Sequence, residues 1–122
     1  MEYDFHGIIV QESLKDSLLL NDVIILGRKQ TKDWELIRVG IMNSEIEEFT
    51  EAISDCFRVE ESIPYYAHFY SRNKLIVVFP HKVFNVTPDK ETWKPAIKYG
   101  LSRGIPLEQL DFFPCKFEDE TY

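Results

Sequence analysis

The segment PYYAHFYSRNKLIVVFP, residues 64–80, decides the predicted fold, because it contains two strands joined by a short loop. Residues 65–71 are rich in aromatic side chains and residues 74–79 in aliphatic and β-branched ones, and both kinds favour strands. With Arg72-Asn73 as the loop, the two segments run antiparallel as a hairpin. Pro80 limits the second strand, because proline has no N–H to donate to a sheet.

Side chains alternate between the two sides of a strand, so this register predicts two different faces for the hairpin. One face is almost entirely hydrocarbon, as expected of a face that lies against a core. The other face mixes aliphatic groups with two tyrosine hydroxyls and an imidazole. Its predicted cross-strand pairs are Tyr70 with Leu75, His68 with Val77, and Tyr66 with Phe79. A shift of one residue in the register would exchange the two faces.

Further segments on both sides of the hairpin predict strands. Residues 5–10 form the first, and residues 23–26, a short run of β-branched and aliphatic side chains, form a buried strand. Residues 34–42 pair with residues 23–28 as a second hairpin. Residues 83–86 predict a short extension after residues 74–79, and residues 111–117 near the C-terminus predict a final strand or a packed tail.

Two segments predict helices. Over residues 45–57, apolar side chains recur with the period of one helix face, and Ser44 with a glutamate three residues later has the capping-box pattern. The second helix has two alternative starts. It begins at Thr87 and is kinked by Pro95, or its regular part begins near Thr92 with that proline in the first turn.

Together these segments predict a single α+β domain over residues 1–122, an antiparallel sheet of about five strands with two helices packed on one face. A hairpin followed by a helix occurs twice, in residues 23–57 and 65–103. The residues do not match between the two copies. The pattern is therefore either a ββα pseudo-repeat or the recurrence of a common local unit.

Composition and charge exclude several classes of function. The chain has 122 residues, 44% hydrophobic and 29% charged, which is typical of a soluble globular domain. Its net charge of −7 argues against nucleic-acid binding, which needs a basic surface. It shows no apolar run long enough to cross a membrane and no signal-peptide pattern. Two widely spaced cysteines favour the reducing cytoplasm over a secreted, disulfide-linked fold.

The charges are distributed unevenly along the chain. Residues 44–61 contain seven acids and one base, a net charge of −6, whereas residues 72–103 contain seven bases and two acids, a net charge of +5. In one interpretation these are two solvated helix faces that attract each other within the chain. In the other, the two segments attract each other between copies of the chain.

Both hairpins have a mixed face, and we predict that this face is functional. Aromatic residues with polar tips, together with arginine, are typical of protein interfaces and also suit ligand pockets. Helices on one face of the sheet would leave the mixed face without cover, except from the termini. The alternative is a sheet that the termini bury. The candidate ligand- or partner-binding residues are Trp34, Arg38, Tyr66, His68 and Tyr70.

No motif in the sequence identifies a reaction. There is no HExxH, CxxC or glycine-rich phosphate loop, so we expect neither a metal nor a cofactor. Cys56 lies on the apolar stripe of the first helix, and Cys115 has no nucleophile signature around it. His68 is better interpreted as a half-buried imidazole than as a metal ligand.

Two functions remain open at this point. The leading hypothesis is a small cytoplasmic, non-catalytic binding or regulatory module, acting through its aromatic face as a homodimer or with a protein partner. The alternative is a small enzyme or metabolite-binding protein whose small-molecule pocket is lined by Tyr66, His68, Tyr70 and Arg38. The sequence does not decide whether the protein is an enzyme.

Overall fold

A computed structural model of the chain describes residues 3–58, 65–107 and 110. Over these residues the fold is α+β, with six strands and two α-helices. The strands are Phe5–Val10 (β1), Ile24–Gln30 (β2), Glu35–Ile41 (β3), Ala67–Tyr70 (β4), Leu75–Phe79 (β5) and Lys82–Val86 (β6). The helices are Ile46–Cys56 (α1) and Lys94–Ser102 (α2). The strand predicted at residues 111–117 lies outside the described residues.

All six strands form one antiparallel sheet in the order β2-β3-β1-β4-β5-β6. The predicted fold class is therefore confirmed, although about five strands were expected. The additional strand is β6, at the residues where only a short extension was expected. It forms because Pro80 does not end the pairing but opens a two-residue turn with His81, after which the chain returns along β5.

The predicted register of the hairpin at residues 65–79 is confirmed. Tyr70 pairs with Leu75 and His68 pairs with Val77 across β4 and β5. The aromatic and polar residues of β4 at alternate positions therefore do share one side of the sheet.

The two helices pack on opposite faces of the sheet, which corrects the prediction that they share one face. Ile46, Phe49 and Ile53 of α1 join one core, whereas Trp93 and Ala96 at the start of α2 join the other. The physical reason is β5. All five of its residues are buried, so the sheet needs apolar cover on both sides. The hairpin–helix pattern does occur twice, but only approximately, because the second unit has an extra strand and the opposite helix placement.

The helix boundaries agree closely with the sequence pattern, but the predicted cap of the first helix does not form. Helix α1 begins at Ile46 after Glu45, whose side chain makes no capping hydrogen bond, so the predicted capping box at Ser44 does not form. Helix α2 follows a short 3-10 helix at Lys90–Trp93 and has Pro95 in its first turn, which confirms the later of the two starts. With 11 and nine residues, neither described helix is long and apolar enough to cross a membrane.

Candidate functional site

Four of the five predicted site residues lie on the α2 side of the sheet. Ile8 of β1 pairs with Arg38 of β3 on one side and with His68 of β4 on the other, so these residues form one row across the sheet. The rings of His68 and Tyr70 are stacked with centroids 5.8 Å apart. Tyr66 precedes β4, and its ring centroid lies 5.9 Å from that of Phe79.

Helix α2 covers much of this face, which the sequence predicted to have no cover except the termini. Tyr70 is only 1% exposed, and Leu75 and Val77 beside it are fully buried. Trp93 and Ala96 belong to the same buried cluster. The β4–β5 part of the aromatic face is therefore a core rather than an open surface.

His68 is the polar group at the centre of this face. The side chain is half-buried. Burial lowers the pKa of its imidazole from 6.5 to about 4, because an imidazolium would lose its hydration there. At neutral pH the ring is therefore uncharged and packs against Tyr70 as an aromatic group.

Trp34 is not part of this group, which corrects its predicted placement. It packs on the α1 side against Tyr65, with ring centroids 5.8 Å apart at an interplanar angle of 79°. The strand alternation used for the prediction does not reach Trp34, because β3 begins at Glu35. Instead Trp34 closes a turn with Thr31, whose backbone N–H donates to the Trp34 carbonyl at 2.7 Å. That the five residues bind a ligand or a partner stays a prediction.

The structure reveals a groove that the sequence did not predict, between α1 and the edge strand β6. Its volume is about 880 Å³. The α1 wall carries Glu47, Glu51 and Asp55, which are four residues apart and therefore form a row along one side of the helix. Val83 and Asn85 line the opposite wall on β6. The four-residue spacing of the acids was visible in the sequence, whereas the strand that faces them was expected only as a short extension at residues 83–86. We call this feature the α1–β6 groove.

The turn between β5 and β6 closes one end of the α1–β6 groove. The backbone N–H of His81 donates to the carbonyl of Ser54 in the last turn of α1 at 3.1 Å. The imidazole Nδ1 of His81 lies 3.3 Å from Oδ1 of Asp55. His81 has a φ of 61°, a left-handed conformation that few residues other than glycine adopt. The turn thus joins the sheet edge to the C-terminal end of α1.

The placement of the acidic row also bears on the uneven charge of the chain. Because α1 and α2 lie on opposite sides of the sheet, the acids of α1 do not face the bases of α2. Lys94 of α2 pairs instead with Glu91, one turn before it, at 2.7 Å. Attraction between the two helices within one chain is therefore not part of the fold.

A second exposed feature lies at the other edge of the sheet. Strand β2 was predicted to be buried, but its position at the edge leaves its apolar end exposed, since a β-branched run favours a strand without specifying burial. Three large apolar side chains of β2 are exposed, Ile24 at 50%, Ile25 at 37% and Leu26 at 37%, and Leu18 in the 3-10 helix that precedes β2 is 64% exposed. We call these four residues the β2 patch.

The metal and thiol candidates add no further site within the described residues. Residues 3–58, 65–107 and 110 contain no group of three or more histidine, cysteine or acidic side chains placed to hold a metal ion. Cys56 is a half-buried free thiol that packs against the α1-side core, and its Sγ donates to the carbonyl of Asp16 at 3.4 Å. Cys115 lies outside the described residues.

Comparison with known proteins gives no match to a protein-family model, a curated protein or a solved structure.

Proposed function

We propose that the protein is a small cytoplasmic, non-catalytic binding module that acts as a homodimer, with the β2 patch as the interface between two copies. The observation that carries this proposal is the exposure of three consecutive apolar residues, Ile24 to Leu26, on an edge strand. Ile24 and Ile25 pair with Gly40 and Val39 and so project from opposite faces of β2, which makes this edge of the sheet apolar on both sides. Exposed apolar surface of this extent is uncommon on monomeric proteins and marks interaction sites. The free thiol of Cys56 supports a reducing compartment.

The shape and charge of β2 favour a second copy packed through side chains. The register shifts between Ile25 and Gly27, and such a bulge discourages the addition of another strand at an edge. Beyond the bulge, Arg28 is ion-paired with Glu35 at 2.8 Å, so the exposed apolar surface is confined to the first part of β2. Two copies related by a two-fold axis would bury the same patch on each side.

The aromatic face was the surface predicted for this role. Because α2 covers that face, we place the proposed interface at the β2 patch instead. The homodimer itself is still a prediction.

The experiment is the molar mass in solution by light scattering, at low and high salt. We expect a dimer that persists in high salt, because apolar contacts are not screened. Replacing Ile24 by Ser should weaken the dimer about tenfold or more, since burying an aliphatic side chain contributes about 1.5–3 kcal/mol and 1.4 kcal/mol is a factor of ten. Leu101→Ser is the matched control, because Leu101 is 48% exposed but lies on α2.

Three outcomes would contradict the homodimer. A monomeric wild-type chain rules it out directly. Dissociation by salt points to paired charges rather than the β2 patch. An equal loss of dimer in the Leu101→Ser control means that the effect is not specific to this surface.

The alternative function, a small enzyme or metabolite-binding protein, keeps its predicted pocket of Tyr66, His68, Tyr70 and Arg38. One observation favours it. His68 is half-buried while Tyr70 on the same face is fully buried, so the imidazole is the more accessible polar group of the two. Screening small molecules for a thermal shift that disappears in His68→Ala, with molar mass unchanged, would support this alternative over the dimer.

A further inference from the structure

We propose that the α1–β6 groove binds an extended peptide, which adds a strand to β6 and carries basic side chains at alternate positions. This inference does not depend on the homodimer, because the groove and the β2 patch lie at opposite edges of the sheet.

The first argument is the backbone of β6. It is an edge strand of the described sheet, and no register shift interrupts its pairing with β5. The two-residue turn makes Phe79 and Lys82 a hydrogen-bonded pair, and such pairs alternate along an antiparallel ladder. Lys82, Phe84 and Val86 therefore bond to β5, whereas the N–H and C=O groups of Val83 and Asn85 point outward. This edge can accept another strand.

The second argument is the shape of the site. The same two residues, Val83 and Asn85, also line the α1–β6 groove with their side chains. A strand added to β6 would therefore place every second side chain in the groove, directly beside α1. An exposed strand edge flanked by a helix is the arrangement that β-augmentation uses, in which main-chain bonds give affinity and alternate side-chain contacts give specificity. The volume of about 880 Å³ lies within the range of ligand sites.

The third argument is a match of spacing. Glu47, Glu51 and Asp55 recur every four residues, which is about 6 Å along a helix. Alternate residues of an antiparallel strand are about 6.8 Å apart. The contact of Asp55 with His81 fixes one end of the acidic row at the beginning of β6. Basic side chains at every second position of an added strand would thus meet successive acids of α1.

The fourth argument is charge. Glu47 and Glu51 are exposed and form no ion pair with any residue in the described ranges. Lys74 and Lys82 also line the groove, but neither is ion-paired with Glu47 or Glu51, and the Nζ of Lys82 lies over the Phe84 ring, 5.5 Å from its centroid. Two of the three acids on the α1 wall therefore remain available to cations from outside.

The test is fluorescence anisotropy with a labelled peptide that alternates lysine and valine. We expect saturable binding that weakens as salt is added. Two control peptides are used, one with the same composition but the lysines consecutive, and one with glutamate in place of lysine. Both should bind at least tenfold more weakly than the alternating peptide.

Protein variants separate the charge contribution from the strand contribution. Glu47→Lys combined with Glu51→Lys should weaken binding tenfold or more. Glu48→Lys is the matched control, because it is an exposed glutamate on the same helix outside the groove lining, and it should bind as the wild type does. Val83→Pro removes one outward N–H from the edge and should also weaken binding, with far-UV circular dichroism confirming the fold.

Three outcomes of these experiments would contradict peptide binding in the α1–β6 groove. No saturable binding of the alternating peptide, equal binding of the peptide with consecutive lysines, or an equal effect of Glu48→Lys would overturn the proposal. The Ile24→Ser variant should bind the peptide unchanged, so failure of the homodimer and failure of this groove are distinguishable.

Discussion

His68 lies in the middle of the sheet, between Ile8 of β1 and Val77 of β5, and its surroundings determine its protonation state. The sequence showed an imidazole among tyrosines and predicted a half-buried ring, which the structure confirms. The alternation of strand residues sufficed for this prediction. The identity of the covering element did not follow from it, because α2 is more than 20 residues away along the chain.

The lowered pKa of His68 predicts a pH dependence of stability. In the unfolded chain the imidazole takes up a proton below pH 6.5, whereas in the folded chain it does so only below about 4. Between these values the unfolded state binds more protons, so the free energy of unfolding falls as the pH is lowered from 6.5 to 4. The loss reaches about 3 kcal/mol at most, at about 1.4 kcal/mol per pKa unit.

Urea denaturation at pH 7.5 and pH 4.5 measures this effect in the wild type and in His68→Phe. The variant keeps an aromatic ring beside Tyr70 but cannot titrate, so it should lose less stability at the lower pH. Carboxylates that titrate in the same range affect both proteins equally. Identical losses in the two proteins would show that His68 does not control the acid sensitivity.

At the scale of the element, the β5–β6 turn depends on the backbone conformation of Pro80 and His81. Proline fixes φ near −65° at its own position, and the positive φ of His81 after Pro80 gives the combination found in type II turns. Glycine or asparagine is the usual residue at the second position. The sequence has histidine there, and Pro80 was expected to limit the strand because it has no N–H to donate to a sheet.

Substitutions at His81 should therefore depend on backbone preference. His81→Val should lower the free energy of unfolding by about 1–2 kcal/mol, because a β-branched residue is strained at positive φ. His81→Asn should stay within about 0.5 kcal/mol of the wild type, because asparagine tolerates this conformation. Thermal or urea denaturation of the pair gives the comparison. Equal stability of the two variants would mean that the turn relaxes to another conformation.

The elements also show which predictions a local pattern supports. The apolar stripe of α1 predicted its length to within one residue at each end, because helix period is a local property. The exposure of β2 could not be predicted, since Ile24 and Ile25 have the side chains of a buried strand and only the strand order places them at an edge. The α1–β6 groove likewise depends on a contact between segments distant in sequence.

At the scale of the whole molecule, one sheet separates two hydrophobic cores. Each core contains one tryptophan, because Trp34 packs against the α1-side cluster and Trp93 lies in the α2-side cluster. The predicted fold had a single core, since an amphipathic helix does not reveal which side of a sheet it covers. Strands β4 and β5 contribute side chains to both clusters, so unfolding of these strands would disrupt both cores together.

We therefore expect the described domain to unfold in a single cooperative transition. In Trp34→Phe the remaining tryptophan reports the α2-side core, and in Trp93→Phe it reports the α1-side core. Within each variant, the urea midpoint from tryptophan fluorescence should coincide with that from far-UV circular dichroism. A fluorescence midpoint in Trp34→Phe well below that of the circular dichroism would show instead that α2 detaches first.

The complete burial of β5 has a consequence for how the chain finds its alignment. In most antiparallel sheets, a strand that slides by one residue is penalised because polar groups enter the core. The sequence Leu75–Phe79 is apolar at every position. A shift of one residue would therefore only exchange the cores that Val77 and Val78 face, without burying a polar group. The polarity of the side chains therefore does not disfavour the shifted register. The short turns at either end of β5 must fix the register instead. The fidelity of this fold is therefore encoded in its bends, and an insertion of one residue beside Pro80 would do more harm than many substitutions within the strand.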